Sequence, residues 1–156
     1  MIKILITGGA GYIGTVLTNL ALKKKFKVIA IDNLMNSKKE FLRKFNKNKN
    51  FKFYNCDINN EKEFEKISKK ESVDIVVHLA GIVGDPASKL QKKLTTKTNL
   101  TSSKKMFQIC EKHNVQKFIF SSTCSNYGIF NSKKLANENS KLKPLSLYAK
   151  TKVDFE

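Results

Sequence analysis

Short apolar runs rich in β-branched and aromatic residues recur along the chain at 2–6, 26–31, 51–54, 73–79 and 118–120, separated by stretches of helix-forming composition. In the first such stretch Ile13, Val16, Leu17, Leu20 and Ala21 follow the i, i+3, i+4, i+7, i+8 spacing that lays one apolar stripe of a helix against a sheet. Farther on, Leu100, Ser103, Phe107 and Cys110 share one side of a longer helical segment, while Lys104, Lys105 and Lys112 fall elsewhere. Strands that alternate with helices predict right-handed crossovers and a parallel sheet covered on both faces. The run 73–79 is almost unbroken in apolar character, as expected of a central strand buried on both sides. The fold class is therefore α/β with a doubly wound parallel sheet, and 156 residues without a Pro- or Gly-rich linker predict one domain over 1–156. Pro86 and Pro144, the two prolines, are both assigned to loops. The polar stretch 128–144, with Asn131, Ser132, Asn137, Asn139 and Ser140, reads as a long loop of the kind that often carries function.

Charge changes this picture less than its size implies. The formal net charge is +17, yet every basic residue except Arg43 is a lysine, whereas phosphate forks and base readout lean on arginine geometry. The lysines lie in short dispersed clusters, such as 23–25, 38–39, 69–70, 92–93 and 104–105. A solvated lysine-rich surface is expected, and a nucleic-acid partner is not. Cys56, Cys110 and Cys124 are too few and too widely spaced for a disulfide framework or a paired metal motif, so no metal is expected and a reducing cytoplasm fits. No apolar stretch is long enough to span a membrane, and no secretion signal is read ahead of the first strand.

Candidate chemistry begins where the first strand ends. Thr7-Gly8-Gly9-Ala10-Gly11-Tyr12-Ile13-Gly14 follows it directly, and the first helix starts inside this segment. Gly8, Gly11 and Gly14 match a Rossmann-type turn, which needs one glycine for a sharp bend, one for backbone approach to a pyrophosphate and one for tight helix–strand packing. The phosphates then meet unpaired N–H groups and the positive end of the helix dipole. The second strand ends in Asp32, 18 residues after Gly14. A carboxylate there accepts both ribose hydroxyls of an adenosine and repels a 2′-phosphate, which favours NAD over NADP. Asp57, beside Ile58 after the third strand, lies at the same sheet edge. It reads equally as a contact to the adenine or as the cap of a helix starting near Asn60.

Further segments follow in order: Asp32-Asn33-Leu34, Cys56-Asp57-Ile58, His78-Leu79-Ala80-Gly81, Asn99, Phe120-Ser121-Ser122-Thr123, Tyr127-Gly128 and Tyr148-Ala149-Lys150-Thr151-Lys152. With them the chain resembles the extended short-chain dehydrogenase/reductase family, the NAD-dependent epimerases and dehydratases of nucleotide sugars. The resemblance implies NAD as cofactor, met along the glycine turn including Tyr12 and Ile13, and at Asp32, Asn33, Asp57 and Ile58. It also implies contacts along Leu79, Ala80 and Gly81, at Asn99, and at Tyr148 and Lys152. It implies a nucleotide-sugar substrate touched by Thr123, with Tyr148 and Lys152 as the catalytic pair, and it allows a homodimer of the full-length protein.

The chemistry of that pair also follows from the side chains. A free phenol, with a pKa of about 10, is a poor base at neutral pH unless a cation stabilises its phenolate. Lys152 lies four residues beyond Tyr148, on the same face of a helix expected to start near Ser146. Tyr148 would take the proton of a substrate hydroxyl shared with Thr123 as hydride leaves the carbon. By spacing alone the two are more often an exposed helical pair.

Departures from the family narrow the reading. Cys124 and Ser125 stand where its dehydratases carry Asp and Glu, which argues against 4,6-dehydration. Gly81 replaces a common alanine, read as a variation without consequence. Asp85 is read as a sugar ligand or a plain turn residue, His78 as a satisfied strand-end residue and Cys124 as a small packing residue. Family members continue for about as long again. The expectation is a Rossmann domain cut before the last strands and the substrate domain, binding NAD but not turning over alone. Epimerisation or oxidoreduction through a keto-sugar is the expected reaction, and a non-catalytic dinucleotide-binding or RNA-associated protein on the same fold is the alternative.

Overall fold

The computed structural model describes residues 1–129 and 135–156, which divide into two compact units, 1–80 with 104–121 and 81–103 with 122–156. The helices in chain order are α1 (Tyr12–Lys23), α2 (Glu61–Glu71), α3 (Asp85–Leu90), α4 (Lys92–Thr96), α5 (Ser103–Lys112) and α6 (Leu147–Val153). The strands are β1 (Lys3–Thr7), β2 (Lys27–Asp32), β3 (Phe51–Asn55), β4 (Ile75–His78) and β5 (Lys117–Phe120).

All five strands belong to the first unit and run parallel in the order β3-β2-β1-β4-β5. Strand order reverses between β1 and β4, so their carboxyl ends form the crevice where ligands of such sheets bind. Alternation along each strand sorts the core. Leu5, Ile29, Ile31 and Val76 pack on one face with Phe64 and Ile67 of α2 and with Met106 and Cys110 of α5. Ile4, Ile6, Val28, Ala30 and Val77 pack on the other with Ala21 of α1 and with Leu42 and Phe45 of a 3-10 turn. Each large side chain so buried contributes about 1.5–3 kcal/mol. The doubly wound α/β expectation is met within this unit.

Three local expectations are corrected. On α1 the buried residues are Gly14, Thr18 and Ala21, with Leu17 half-buried, whereas Ile13, Val16 and Leu20 are exposed. The contact face is built from small residues because the helix closes tightly on the turn at Gly14. Between α4 and α5, residues Lys97–Ser102 wind as a π-helix. The extra residue in its turn shifts the helical phase, so Asn99, Ser102, Ser103, Met106 and Cys110 are buried. Phe107 is left 38% exposed, edge-on to Phe118 at 5.2 Å. Pro86 lies in the first turn of α3 rather than in a loop, a position where a missing N–H costs no helical bond.

The second unit has no strand among its described residues, and its interior is polar. Ser88, Thr95, Thr98, Asn99, Ser102, Asn126, Thr151 and Lys152 are buried there beside Ile82, Tyr148 and Ala149. α6 packs against α3, α4, the π-helical segment and a 3-10 turn (Cys124–Tyr127). Its start at Ser146 is as expected, the hydroxyl oxygen accepting from the Ala149 N–H at 3.1 Å. Within the long polar stretch, Asn137 accepts from the Asn139 N–H at 3.1 Å, a local turn. Asn131 and Ser132 lie outside the described residues.

Candidate functional site

In the first unit the glycine turn joins β1 to α1. Gly8 has φ +69°, and a Cβ on it would stand 2.9 Å from the Ala80 nitrogen. A Cβ on Gly14 would overlap the Gly8 carbonyl oxygen, so the turn closes only with hydrogen at both positions. A Cβ on Gly11 meets only the Gly8 oxygen, at 3.2 Å, and otherwise points into open space. The first intrahelical bond is from the Thr15 N–H to the Gly11 oxygen. The N–H groups of Tyr12, Ile13 and Gly14 therefore precede the helical ladder, and neither a side-chain cap nor an acidic residue of the first turn serves them. Such an end is built for an anion.

Asp32 at the end of β2 accepts from the Ala10 N–H at 3.0 Å, the Leu34 N–H at 2.8 Å and the Ser37 hydroxyl at 2.8 Å. It thus braces the glycine turn as well as its own loop. Ser37 went unread in the sequence, although a short hydroxyl residue after Asp-Asn is a usable signal. Asn33 donates to Asp57 at 3.3 Å, which brings the two loops together. Asp57 also accepts from the Asn59 N–H at 2.8 Å, but the cap of α2 is Asn60, which accepts from the Glu63 N–H. The cap reading of Asp57 is thereby replaced. Ile58 has its side chain in the core, so it offers any ligand only its backbone. Thr7 is the hub of the neighbouring strand ends. Its hydroxyl oxygen accepts from the Leu79 and Ala80 N–H groups, both at 3.2 Å, and it is hydrogen-bonded to His78 Nδ1 at 2.7 Å. His78 is the satisfied strand-end residue that was expected.

In the second unit Thr123, Tyr148 and Lys152 are brought together. Thr123 caps the 3-10 turn, its hydroxyl oxygen accepting from the Ser125 N–H at 3.2 Å while bonding to the Tyr148 hydroxyl. Tyr148 is 9% exposed and Lys152 4%, which excludes an exposed helical pair. Burial pushes the Tyr148 hydroxyl above its ordinary value, the Thr123 bond pulls it down, and Cys124 and Asp85 push it up again. Burial pulls the Lys152 ammonium down to about 8, against the upward pull of Glu156. The ammonium lies over the Tyr148 ring, 5.8 Å from its centroid. The group that draws the hydroxyl down is therefore Thr123, where the sequence pointed to Lys152.

Asn99 sits in the π-helical segment with its amide committed to the loop ahead of α3. Its Oδ1 accepts from the Ile82 N–H at 2.8 Å, and its Nδ2 donates to the Ile82 oxygen at 2.9 Å. A Cβ on Gly81 would stand 3.1 Å from that Oδ1, a tight contact, so the missing methyl has a consequence after all. Asp85 begins α3 and Cys124 begins the 3-10 turn; both are exposed, so Cys124 is not the packing residue expected, and both act on Tyr148. Cys56 and Cys110 are buried thiols pushed up to about 12 by burial, hence unreactive. Among the described residues no three His, Cys, Asp or Glu side chains gather as a metal site, and no helix is long and apolar enough to cross a membrane.

The chain is 33% identical to a bifunctional UDP-glucose 4-epimerase and UDP-xylose 4-epimerase of Pisum sativum, over 99% of this chain and 45% of that protein. It is 36% identical to a dTDP-D-glucose 4,6-dehydratase of Dictyostelium discoideum, over 99% of this chain and 38% of the other. The solved UDP-Glc/GlcNAc 4-epimerase of Campylobacter jejuni superposes with a TM-score of 0.93 at 29% identity, over 99% of this chain and 46% of that one. The chain thus spans less than half the length of these relatives. Residues 4–156 match the model of the NAD dependent epimerase/dehydratase family. On that match, and on the glycine turn and strand order that accompany it, the chain belongs to the NAD dependent epimerase/dehydratase family.

Proposed function

We propose that this chain carries the dinucleotide-binding turn and the catalytic tyrosine of an enzyme that interconverts or oxidises nucleotide-linked sugars through a keto-sugar. The observation that carries the reading is the buried Tyr148, bonded to Thr123 and covered by the Lys152 ammonium. NAD suits the residues of the first unit. Gly11 leaves room for a pyrophosphate, and three uncapped N–H groups await its oxygens. A carboxylate has about four acceptor sites, of which Asp32 uses three on protein donors, leaving one ribose hydroxyl to it rather than the two expected. Asn33, Asp57 and the Ile58 backbone would meet the adenine end, and the Leu79, Ala80 and Gly81 backbone the remainder, with Asn99 acting through the loop it fastens. Bound there, the dinucleotide supplies the hydride acceptor. In this reading 1–156 is a single dinucleotide-binding domain.

The protein's own part is proton transfer. Thr123, accepting from the Ser125 N–H, still has its own proton to give to Tyr148, and a bond donated to that oxygen favours the phenolate. Tyr148 accepts the proton of the sugar hydroxyl, and Lys152, buried beside it, supplies positive charge below about pH 8. Cys124 and Ser125 offer no carboxylate for eliminating water, which favours epimerisation or simple oxidoreduction. Incubation of the protein that carries this chain with NAD and UDP- or dTDP-hexoses, followed by NMR, tests this. An inverted sugar carbinol at constant NAD is expected for an epimerase, and a keto-sugar with stoichiometric NADH for an oxidoreductase. A 4-keto-6-deoxy product would overturn the exclusion of dehydration.

A further inference from the structure

One buried side chain in the second unit is not accounted for by the proton path. Asn126, 3% exposed, lies in the 3-10 turn that Thr123 caps. Its Nδ2 donates to the Ser122 hydroxyl at 2.9 Å and to Glu156 Oε1 at 3.2 Å. A carboxylate can only accept, so this contact fixes which way the amide faces. Its backbone oxygen accepts from the Lys143 N–H at 2.8 Å, tying the turn to the approach to α6. Glu156 in turn lies one helical turn beyond Lys152, its N–H donating to the Lys152 oxygen at 3.2 Å. Asn126 Oδ1 is buried with no hydrogen-bonding partner among the described residues, which costs stability. A leucine of similar volume avoids that cost. The residue is explained by what its two N–H groups hold rather than by stability.

We propose that Asn126 and Glu156 are positioning residues for the Tyr148–Lys152 pair. The amide fastens the turn carrying Thr123 to the end of α6 and there holds the Glu156 carboxylate close to Lys152. The inference rests on the catalytic reading of that pair. Other titratable side chains on the elements packed against α6 are Asp85 and Lys89 of α3, Lys92 and Lys93 of α4, Lys97 of the π-helical segment, and Cys124 and Tyr127 of the 3-10 turn. Asp85 and Cys124 act on Tyr148, whereas Glu156 acts on Lys152 and supports its charge.

The test is the pH dependence of Lys152 acetylation, read by peptide mass spectrometry after a brief pulse of acetic anhydride, without substrate. Wild type should give a midpoint of about 8. Glu156→Ala and Asn126→Leu should each lower it by about half a pH unit or more, and the double variant should go no lower than Glu156→Ala alone. Unchanged midpoints, an effect of Glu156→Ala without one of Asn126→Leu, or additive shifts would each overturn the proposal. Should Asn126→Leu fail to fold, Asn126→Ser, which is too short to reach Glu156, replaces it. Because no turnover is read, the result stands apart from whether Tyr148→Phe abolishes catalysis.

Discussion

In the unit that holds the sheet, the buried residues are mostly apolar and alternate along the strands, and the candidate ligand contacts are mainly backbone groups at strand ends. In the other unit most buried side chains are polar, among them Asn99, Asn126, Thr151 and Lys152, and the candidate chemistry lies in those side chains themselves. The first arrangement gives a platform, a sheet packed on both faces by apolar side chains. The second gives a cluster in which burial shifts Tyr148 and Lys152 most and neighbours adjust them further, Thr123 and Asp85 acting on Tyr148 and Glu156 on Lys152. Stability and chemistry are thus weighted to different parts of one chain, and the two can be perturbed separately.

The largest effect on stability should come from the platform. Phe64→Ala empties the space of a side chain 1% exposed in the sheet core and should cost about 3–5 kcal/mol in urea unfolding. A cost well below this would mean the apolar core is not what holds that unit. Gly11→Val should leave the circular dichroism spectrum intact yet weaken NAD at least about a hundredfold in calorimetry, since its side chain occupies the open face of the turn. Gly14→Ala, whose Cβ overlaps the Gly8 oxygen, should instead damage the fold itself.

The polar unit yields the smaller and pH-dependent effect. Lys152 has a folded value of about 8 against about 10.4 when unfolded. Between these the unfolded chain binds the extra proton, so stability rises with pH across that window and is lowest below it. Lys152→Met, which removes the buried charge, should be more stable than wild type at pH 7 by roughly 1–3 kcal/mol. That advantage should shrink as the pH rises from about 8 to about 10.4. A pH-independent difference would mean that burial of the ammonium is not its cause.

The same contrast decides what could be read beforehand. Strand periodicity located β1, β2 and β4 because these central strands are buried, and located the half-exposed edge strands β3 and β5 by their aromatic and β-branched runs, while the glycine spacing located the turn because only glycine satisfies Gly8 and Gly14. The stripe on α1 was misjudged, since Ile13, Val16 and Leu20 look like a core face while Gly14 and Thr18 make the contact. The phase of the segment before α5 was missed because a π-turn leaves no mark on a count of 3.6. The motif marked Thr123, Tyr148 and Lys152, which lie together in one unit. Asn126 and Glu156 were not marked, because an amide that links two distant segments follows no local period.

The central claim is that Tyr148 accepts the proton as hydride passes to NAD. A rapid-mixing experiment on the protein that carries this chain, loaded with NAD and mixed with a UDP-hexose, tests it most directly by absorbance at 340 nm, the NADH band. The account predicts transient or net reduction in wild type and a rate lowered at least about a hundredfold in Tyr148→Phe, with NAD affinity nearly unchanged. Reduction at the wild-type rate in Tyr148→Phe would contradict it.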